Sequence, residues 1–257
     1  MFEQKAEFFM KKLLAVSALL FIFMLLMLFL GRKKEDTAGQ ETPKTHTEAV
    51  MPASSEGEAK RLRAQIEDNL YGASLALADA SCSEEKLLET AGNLIRTEEM
   101  VRKIYGLQGV DEAQMEEYMT ENLDMLSAIY ALMARRNPDK RRSYYDMAAG
   151  CIEKLFKYDK IRESSIYEPK LLDLVSIKEE LGENEAALEY LRNFEKGRPQ
   201  PGIEVYVAHA CILLKNQGNG KELRELYEKM SDNDEFKTNF RYDELRRQMD
   251  VYLSSEG

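Results

Sequence analysis

The pattern of apolar and polar positions divides the chain into a long apolar run, a polar stretch and an extended amphipathic region. Residues 13–30 contain no charged residue, and Ser17 is their only polar member. An α-helix of this length rises ~27 Å, which is close to the thickness of the hydrocarbon layer of a bilayer. The pattern therefore predicts a transmembrane helix over residues 13–30, preceded by a short N-terminal tail over residues 1–12.

The apolar run also has features of a secretion signal, because Lys11 and Lys12 precede it. Its apolar core exceeds the length of about 7–15 residues of a signal peptide, and no small-x-small cleavage motif follows it, so we interpret it as an uncleaved signal anchor. Three basic residues stand on each side of the run, so the positive-inside rule does not decide its orientation. The signal-like entry and short tail predict a single-pass cell-membrane protein with an extracytoplasmic helical domain; the alternative is a cytoplasmic domain.

The stretch after the run, residues 31–57, is rich in Thr, Glu, Ala, Gly and Pro. It contains no aromatic residue and no apolar periodicity. Such a composition cannot bury enough apolar surface to fold, so we expect a disordered linker here.

From residue 58 onward, apolar positions recur at steps of three and four, which indicates amphipathic helices. A first helix is predicted over residues 58–80, and Ser83 is a cap for a second that ends near Gly106. Asp111 and Gln114 resemble a capping box before a third helix, which Pro138 ends. A last helix is predicted over residues 234–253. Since no stretch alternates with period two, we predict an all-α domain over residues 58–257, built from antiparallel helix pairs.

One helix pair carries a repeat pattern over about residues 168–201. Gly182 stands in the turn between its two helices, Ala187 is a small residue in the second helix, and Pro199 closes the unit. These positions resemble the tetratricopeptide repeat, a helical hairpin of about 34 residues. Leu171 and Val175 depart from the pattern, because they stand where the repeat has a large aromatic and a small residue.

A second, weaker unit is predicted over about residues 204–237, with small residues at Ala210 and Cys211 and a turn at Gly218. Leu223 departs from the small-residue position of its second helix. The resemblance implies a superhelical stack of helix pairs, and an irregular helical bundle is the alternative. Stable stacks need about three units, so the helices over residues 58–160 are either degenerate repeats or a different bundle.

In tetratricopeptide domains the first helix of each pair lines a concave groove that binds peptides. By position, the resemblance gives a candidate partner groove formed by Leu172, Ser176, Glu179, Ala208, Ile212, Lys215 and Asn216. The Lys/Asn clamp with which some family members hold a peptide carboxylate is not matched, because Leu172 and Ser176 stand at two of its polar positions.

Composition narrows the function further. The net charge of −10 lies entirely in residues 58–257, and an acidic domain is repelled by nucleic-acid phosphates, so no nucleic-acid partner is expected. The three cysteines lie far apart and form no CxxC pair, which counts against an oxidising compartment. Neither of the two histidines has a neighbour at metal-ligand spacing, and no Gly-rich phosphate loop or catalytic motif occurs. We expect no metal, no cofactor and no enzymatic activity.

Together these features predict a membrane-anchored helical-repeat scaffold that binds a protein or peptide partner, in an envelope or secretion assembly. The alternative is a structural spacer that self-associates or packs in a membrane complex, in which case Leu62 and Ile66 of the first helix would form the contact. An enzyme without a recognisable motif is a third, weaker hypothesis.

Overall fold

The structure is a computed structural model, and it describes residues 53–106, 111–198, 200–216 and 219–255. Every regular element in these ranges is a helix, which confirms the all-α class. The predicted tail, transmembrane helix and linker up to residue 52 lie outside the described residues. Among the helices that are described, none combines the length and the apolar character needed to cross a membrane.

The first half of the described chain contains four long helices. They are α1 (Ala53–Ala78), α2 (Glu84–Gly106), α3 (Glu112–Arg136) and α4 (Arg141–Leu155), with a 3₁₀ turn at Pro138–Lys140. A short α5 (Asp159–Arg162) follows.

The second half contains shorter helices. They are α6 (Tyr167–Glu180), α7 (Asn184–Gly197), α8 (Ile203–Lys215), α9 (Gly220–Ser231), α10 (Asp234–Thr238) and α11 (Asp243–Ser255), with a 3₁₀ turn at Phe240–Tyr242.

Helix ends follow the predicted caps in the first half. The Ser83 hydroxyl accepts a hydrogen bond from the Lys86 backbone N–H at 3.2 Å, and the Asp111 carboxylate accepts one from the Ala113 N–H at 3.0 Å. Both side chains satisfy N–H groups that have no partner inside the helix. Helix α1 begins at Ala53, before the predicted start at residue 58. The last residues of the predicted linker, 53–57, therefore belong to this helix.

The predicted single helix over residues 234–253 is wrong, because the structure divides it into α10, a 3₁₀ turn and α11. Asn239 causes the break: its backbone is extended, with φ −81° and ψ 119°, and its side chain accepts a hydrogen bond from the Arg241 N–H. An asparagine side chain competes in this way with the helical hydrogen bonds of its own backbone.

Neighbouring helices pack as antiparallel pairs. Lys103 near the end of α2 lies 2.6 Å from Glu58 near the start of α1. Helix α3 packs against α1, α2 and α4, and α6 packs against α4, α7 and α8. Helix α8 in turn contacts α7, α9 and α11. Lys170 on α6 also pairs with Asp124 on α3 at 2.6 Å.

The buried apolar side chains form two clusters, and α6 contributes to both. Leu174 and Ile177 belong to an N-terminal core built on α1 to α4, whereas Leu171 and Val175 belong to a C-terminal core built on α7 to α11. The aromatic ring of Tyr167 contacts both sides: its centroid lies 4.6 Å from that of Phe156 and 5.3 Å from that of Phe194. Helix α6 is therefore the element through which the two cores are joined.

Candidate functional site

The predicted partner residues lie on two helices that pack side by side. Leu172, Ser176 and Glu179 are spaced by four and three residues, which places them on one face of α6. Ser176 is exposed, and Leu172 and Glu179 are half-buried. This face of α6 is therefore open to solvent, as a contact with a partner requires.

On α8 the predicted residues do not share one environment. Lys215 and the following Asn216 are exposed, and Ala208 is half-buried. Ile212 is 0% exposed and belongs to the C-terminal core. Its side chain lies beneath the surface and supports it, so it does not reach a partner.

Three of the polar predicted residues, Glu179, Lys215 and Asn216, make side-chain hydrogen bonds. The Lys215 ammonium lies 2.7 Å from a Glu179 carboxylate oxygen, and this hydrogen bond raises the pKa of Lys215. The Asn216 side-chain oxygen accepts a hydrogen bond from the Asn184 amide at 2.8 Å. We call the exposed surface of Leu172, Ser176, Glu179, Ala208 and Lys215 the α6–α8 surface. Its two charges are paired with each other, and Leu172, Ser176 and Ala208 form a weakly polar strip beside this pair.

Sequence reasoning missed the contact that holds the other end of the two helices together. The Glu168 carboxylate on α6 accepts a hydrogen bond from the Gly202 backbone N–H at 3.2 Å, just before α8 begins. A Cβ atom at Gly202 would lie 2.1 Å from this carboxylate, so any other residue there would force the Glu168 side chain to move. The Pro201-Gly202 pair before an apolar run was the available signal.

A second missed cluster lies behind the surface, around His209 on α8. Its ring is 2% exposed, with Nδ1 2.6 Å from a Glu195 oxygen and Nε2 3.1 Å from a Glu222 oxygen. Arg192 makes two hydrogen bonds to Glu222, at 2.7 and 2.8 Å, and Lys229 lies 3.4 Å from Glu195. The cluster joins α7, α8 and α9. No sequence signal predicted it, because its members come from three helices.

Hydrogen bonds and charges within this cluster shift the pKa values of two of its members. The Arg192 hydrogen bonds, together with the charge of His209, lower the pKa of Glu222, and Glu222 raises the pKa of Arg192. Because the ring is enclosed by these partners, the cluster serves to hold three helices together.

Comparisons with protein-family models, with curated proteins and with solved structures find no match.

The described residues also line two shallow cavities. One of about 410 Å³ lies between α8 and α11 and is lined by Leu214, Val251 and Tyr252 among others. The other, of about 260 Å³, lies between α2 and α4, with Leu123 of α3 in its wall. Within the described ranges no set of three or more His, Cys, Asp or Glu side chains is arranged to hold a metal ion.

Proposed function

We propose that the chain is a membrane-anchored scaffold whose helical domain binds a protein or peptide through the α6–α8 surface. The anchor is the apolar run over residues 13–30, which is long enough to span a bilayer. The observation that carries the binding role is an open surface shared by two adjacent helices, with a weakly polar strip beside the Glu179–Lys215 pair. Such a surface suits an extended peptide or an amphipathic helix.

The packing of α6 to α11 supports a tetratricopeptide-like stack. In such a stack the first helix of each pair contacts both helices of the preceding pair. Here α8 contacts α6 and α7, and α11 contacts α8 and α9. Gly182 has φ 77° in the α6–α7 turn, and Ala187 on α7 is fully buried where the repeat needs a small residue. Pro199 and Gly218, which also contributed to the resemblance, lie outside the described residues.

The direct test is site-specific photo-crosslinking of the full chain in cells. A benzoylphenylalanine at Ser176 should give a discrete crosslinked product with one protein. The same probe at Glu225, an exposed position on α9, is the matched control and should give no such product. If Ser176 and Glu225 give the same pattern, the α6–α8 surface is not the binding site.

A charge swap separates partner recognition from packing. Glu179→Lys and Lys215→Glu each break the pair, whereas the double variant restores it with the charges exchanged. We expect the crosslink from Ser176 to weaken in all three variants, because the partner meets the reversed charges in each. Full recovery in the double variant would mean that the pair serves only to join α6 to α8.

The anchor and the side of the membrane need their own experiment. A tag placed after Gly257 should be digested by protease added to cells whose cytoplasmic membrane is sealed and whose outer barrier is permeable, because we propose that the domain is extracytoplasmic. Digestion only after lysis would place the domain in the cytosol. Release of the chain from membranes by carbonate would contradict the anchor.

The alternative function is a spacer that self-associates. Leu62 and Ile66, which the sequence offered for this contact, are buried in the N-terminal core and cannot dock a second copy. Tyr71 and Leu75 on the outer side of α1 are exposed and would have to replace them. The spacer would be supported if the mass of the full chain in nanodiscs increases with concentration and Leu75→Ser abolishes this increase.

A further inference from the structure

Several large apolar side chains of the described N-terminal helices are exposed, and three of them lie on α2 and α4. Leu88 and Ile95 on α2 are 45% and 47% exposed, and Met147 on α4 is 46% exposed. Leu88 and Ile95 are seven residues apart and therefore lie on one face of α2. Grouped apolar side chains at a surface mark interaction sites more often than scattered ones.

Helices α2 and α4 run in the same direction along α3. At the end of α3, Arg136 donates a hydrogen bond to the Ala80 carbonyl at 2.9 Å, and Asn137 donates one to the Glu84 carboxylate at 2.9 Å, just where α2 begins. Helix α4 begins at the same end, at Arg141. Both helices therefore rise together from this end of α3.

Helix geometry then places the three apolar residues at neighbouring heights. With a rise of about 1.5 Å per residue, Leu88 lies ~6 Å above the start of α2, Met147 ~9 Å above the start of α4 and Ile95 ~16 Å above the start of α2. Met147 on one helix is thus level with the interval between Leu88 and Ile95 on the other. The three residues flank one groove.

The cavity of about 260 Å³ is the continuation of this groove. Its wall contains Arg102, seven residues beyond Ile95, and Lys154, seven residues beyond Met147. Met119 and Leu123 of α3 form its floor. We call the surface between the stripe Leu88, Ile95 and Arg102 and the stripe Met147 and Lys154 the α2–α4 groove. A step of seven residues is the spacing with which two helices meet along their length.

The two ends of the groove differ in charge. Arg102 is paired with Glu98 at 2.8 Å, but Lys154 and Lys157 are exposed and have no carboxylate partner among the described residues. The groove is therefore apolar at one end and positive at the other.

We propose that the α2–α4 groove binds an amphipathic helix of a second protein. The apolar face of that helix covers Leu88, Ile95 and Met147, and its acidic side chains lie opposite Lys154 and Lys157. The distance from Leu88 to Arg102 is ~21 Å along α2, which corresponds to about four helical turns of the partner. This site lies on other helices than the α6–α8 surface, so either proposal can fail without the other.

The test uses the full chain in phosphatidylcholine nanodiscs and a fluorescein-labelled, 18-residue synthetic helix. The peptide carries leucines at heptad spacing and glutamates in its last two turns; a second peptide has lysines in place of the glutamates. Anisotropy should show saturable binding of the glutamate peptide after subtraction of empty nanodiscs, and at least tenfold weaker binding of the lysine peptide. Absence of saturable binding, or equal binding of the two peptides, overturns the proposal.

Substitutions locate the binding. Ile95→Ser should weaken binding of the glutamate peptide at least tenfold, whereas Leu75→Ser, at an equally exposed apolar residue of α1, is the control and should leave it unchanged. The Lys154→Glu, Lys157→Glu double variant should exchange the preference between the two peptides. Because all four residues are exposed, these variants keep the core intact. An equal loss of peptide binding in Ile95→Ser and Leu75→Ser would contradict the groove. If the chain forms dimers in nanodiscs and Ile95→Ser abolishes them, the groove instead binds a second copy of this chain.

Discussion

At the scale of single residues, the His209 cluster is the most connected polar feature of the C-terminal helices. Five side chains from α7, α8 and α9 exchange hydrogen bonds around one buried ring. Removing one partner of such a buried set leaves the others unsatisfied, which costs more than the pair contributes when complete. The stability of this region therefore depends on the charge state of its members.

Glu222 provides a pH test of this cluster. Its pKa is lowered in the fold by Arg192 and His209, so its contribution to stability is complete above its ordinary value of 4.5 and is lost as the pH falls through the lower, folded value. We expect the free energy of unfolding to fall as the pH drops below about 4.5, and to fall less in Glu222→Gln. At neutral pH the same variant should lose about 1–3 kcal/mol. Urea titrations followed by helix ellipticity measure both effects.

The control for this measurement is Glu225→Gln on the same helix. Glu225 is exposed and lies 3.9 Å from Lys221, a surface pair of little energetic weight. The free energy of unfolding of Glu225→Gln should depend on pH in the same way as that of the unaltered chain. Identical pH dependence in Glu222→Gln would show that the cluster does not stabilise the fold through its charges.

The thiols give a second prediction at this scale. Burial raises the pKa of Cys151 to about 11 and also raises the pKa of Cys211, and Cys82 is buried as well. Since the thiolate is the reactive form, a thiol reagent at about pH 8 should modify these residues slowly in the folded chain and all three rapidly in urea. Immediate modification of a thiol in the folded chain would contradict the burial.

At the scale of elements, the α6–α7 turn shows how one residue ends a helix. The Gly182 N–H donates to the Glu179 carbonyl at 2.9 Å, and the Glu183 N–H donates to the Lys178 carbonyl at 2.8 Å. These two bonds form a Schellman motif, whose turn residue needs a positive φ. Gly182 has φ 77° and open space around its Cα.

We therefore predict opposite effects of alanine at two glycines. Gly182→Ala should destabilise the chain by about 1–2 kcal/mol, because an L side chain is strained at positive φ. Gly150→Ala, inside α4 with nothing near the added Cβ, should stabilise it by about 0.5–1 kcal/mol. Chemical denaturation of both variants tests the pair. A change of the same sign in both would contradict the conformational explanation.

The elements also show how far sequence reasoning reaches. Local rules predicted the caps at Ser83 and Asp111 and the end of α3 before Pro138, because the interactions that decide them lie within four residues. The break at Asn239 was missed, although its side-chain hydrogen bond from the Arg241 N–H is equally local. The pairing of Glu179 with Lys215 joins residues 36 positions apart and has no local signal.

For the candidate surface, the resemblance to the tetratricopeptide repeat was enough to assign Leu172, Ser176 and Glu179 to one face of α6, on which Ser176 is exposed and the other two are half-buried. It was not enough for α8, because this helix is apolar on most of its circumference and its sequence does not say which side is covered. Ile212 was therefore assigned to the surface although it lies in the core. Contacts with neighbouring helices decide which side of such a helix is buried.

At the scale of the whole domain, the two cores raise the question of whether its halves unfold together. The N-terminal core is built on long helices and the C-terminal core on short ones, and Phe156, Tyr167 and Tyr190 pack against both. In stacked helical folds each unit is stabilised mainly by its immediate neighbours, so local opening can occur in one part while another stays folded.

Hydrogen exchange of two core variants tests this expectation. Leu94→Ala in α2 and Leu188→Ala in α7 each remove a fully buried side chain and should cost about 2–5 kcal/mol. If stability is local, Leu188→Ala accelerates amide exchange in α7 to α9 much more than in α1 to α3, and Leu94→Ala does the reverse. Helix α6 should respond to both, because it contributes side chains to both cores. Equal acceleration of all helices in either variant would instead mean that the aromatic contacts around Tyr167 make the domain one cooperative unit.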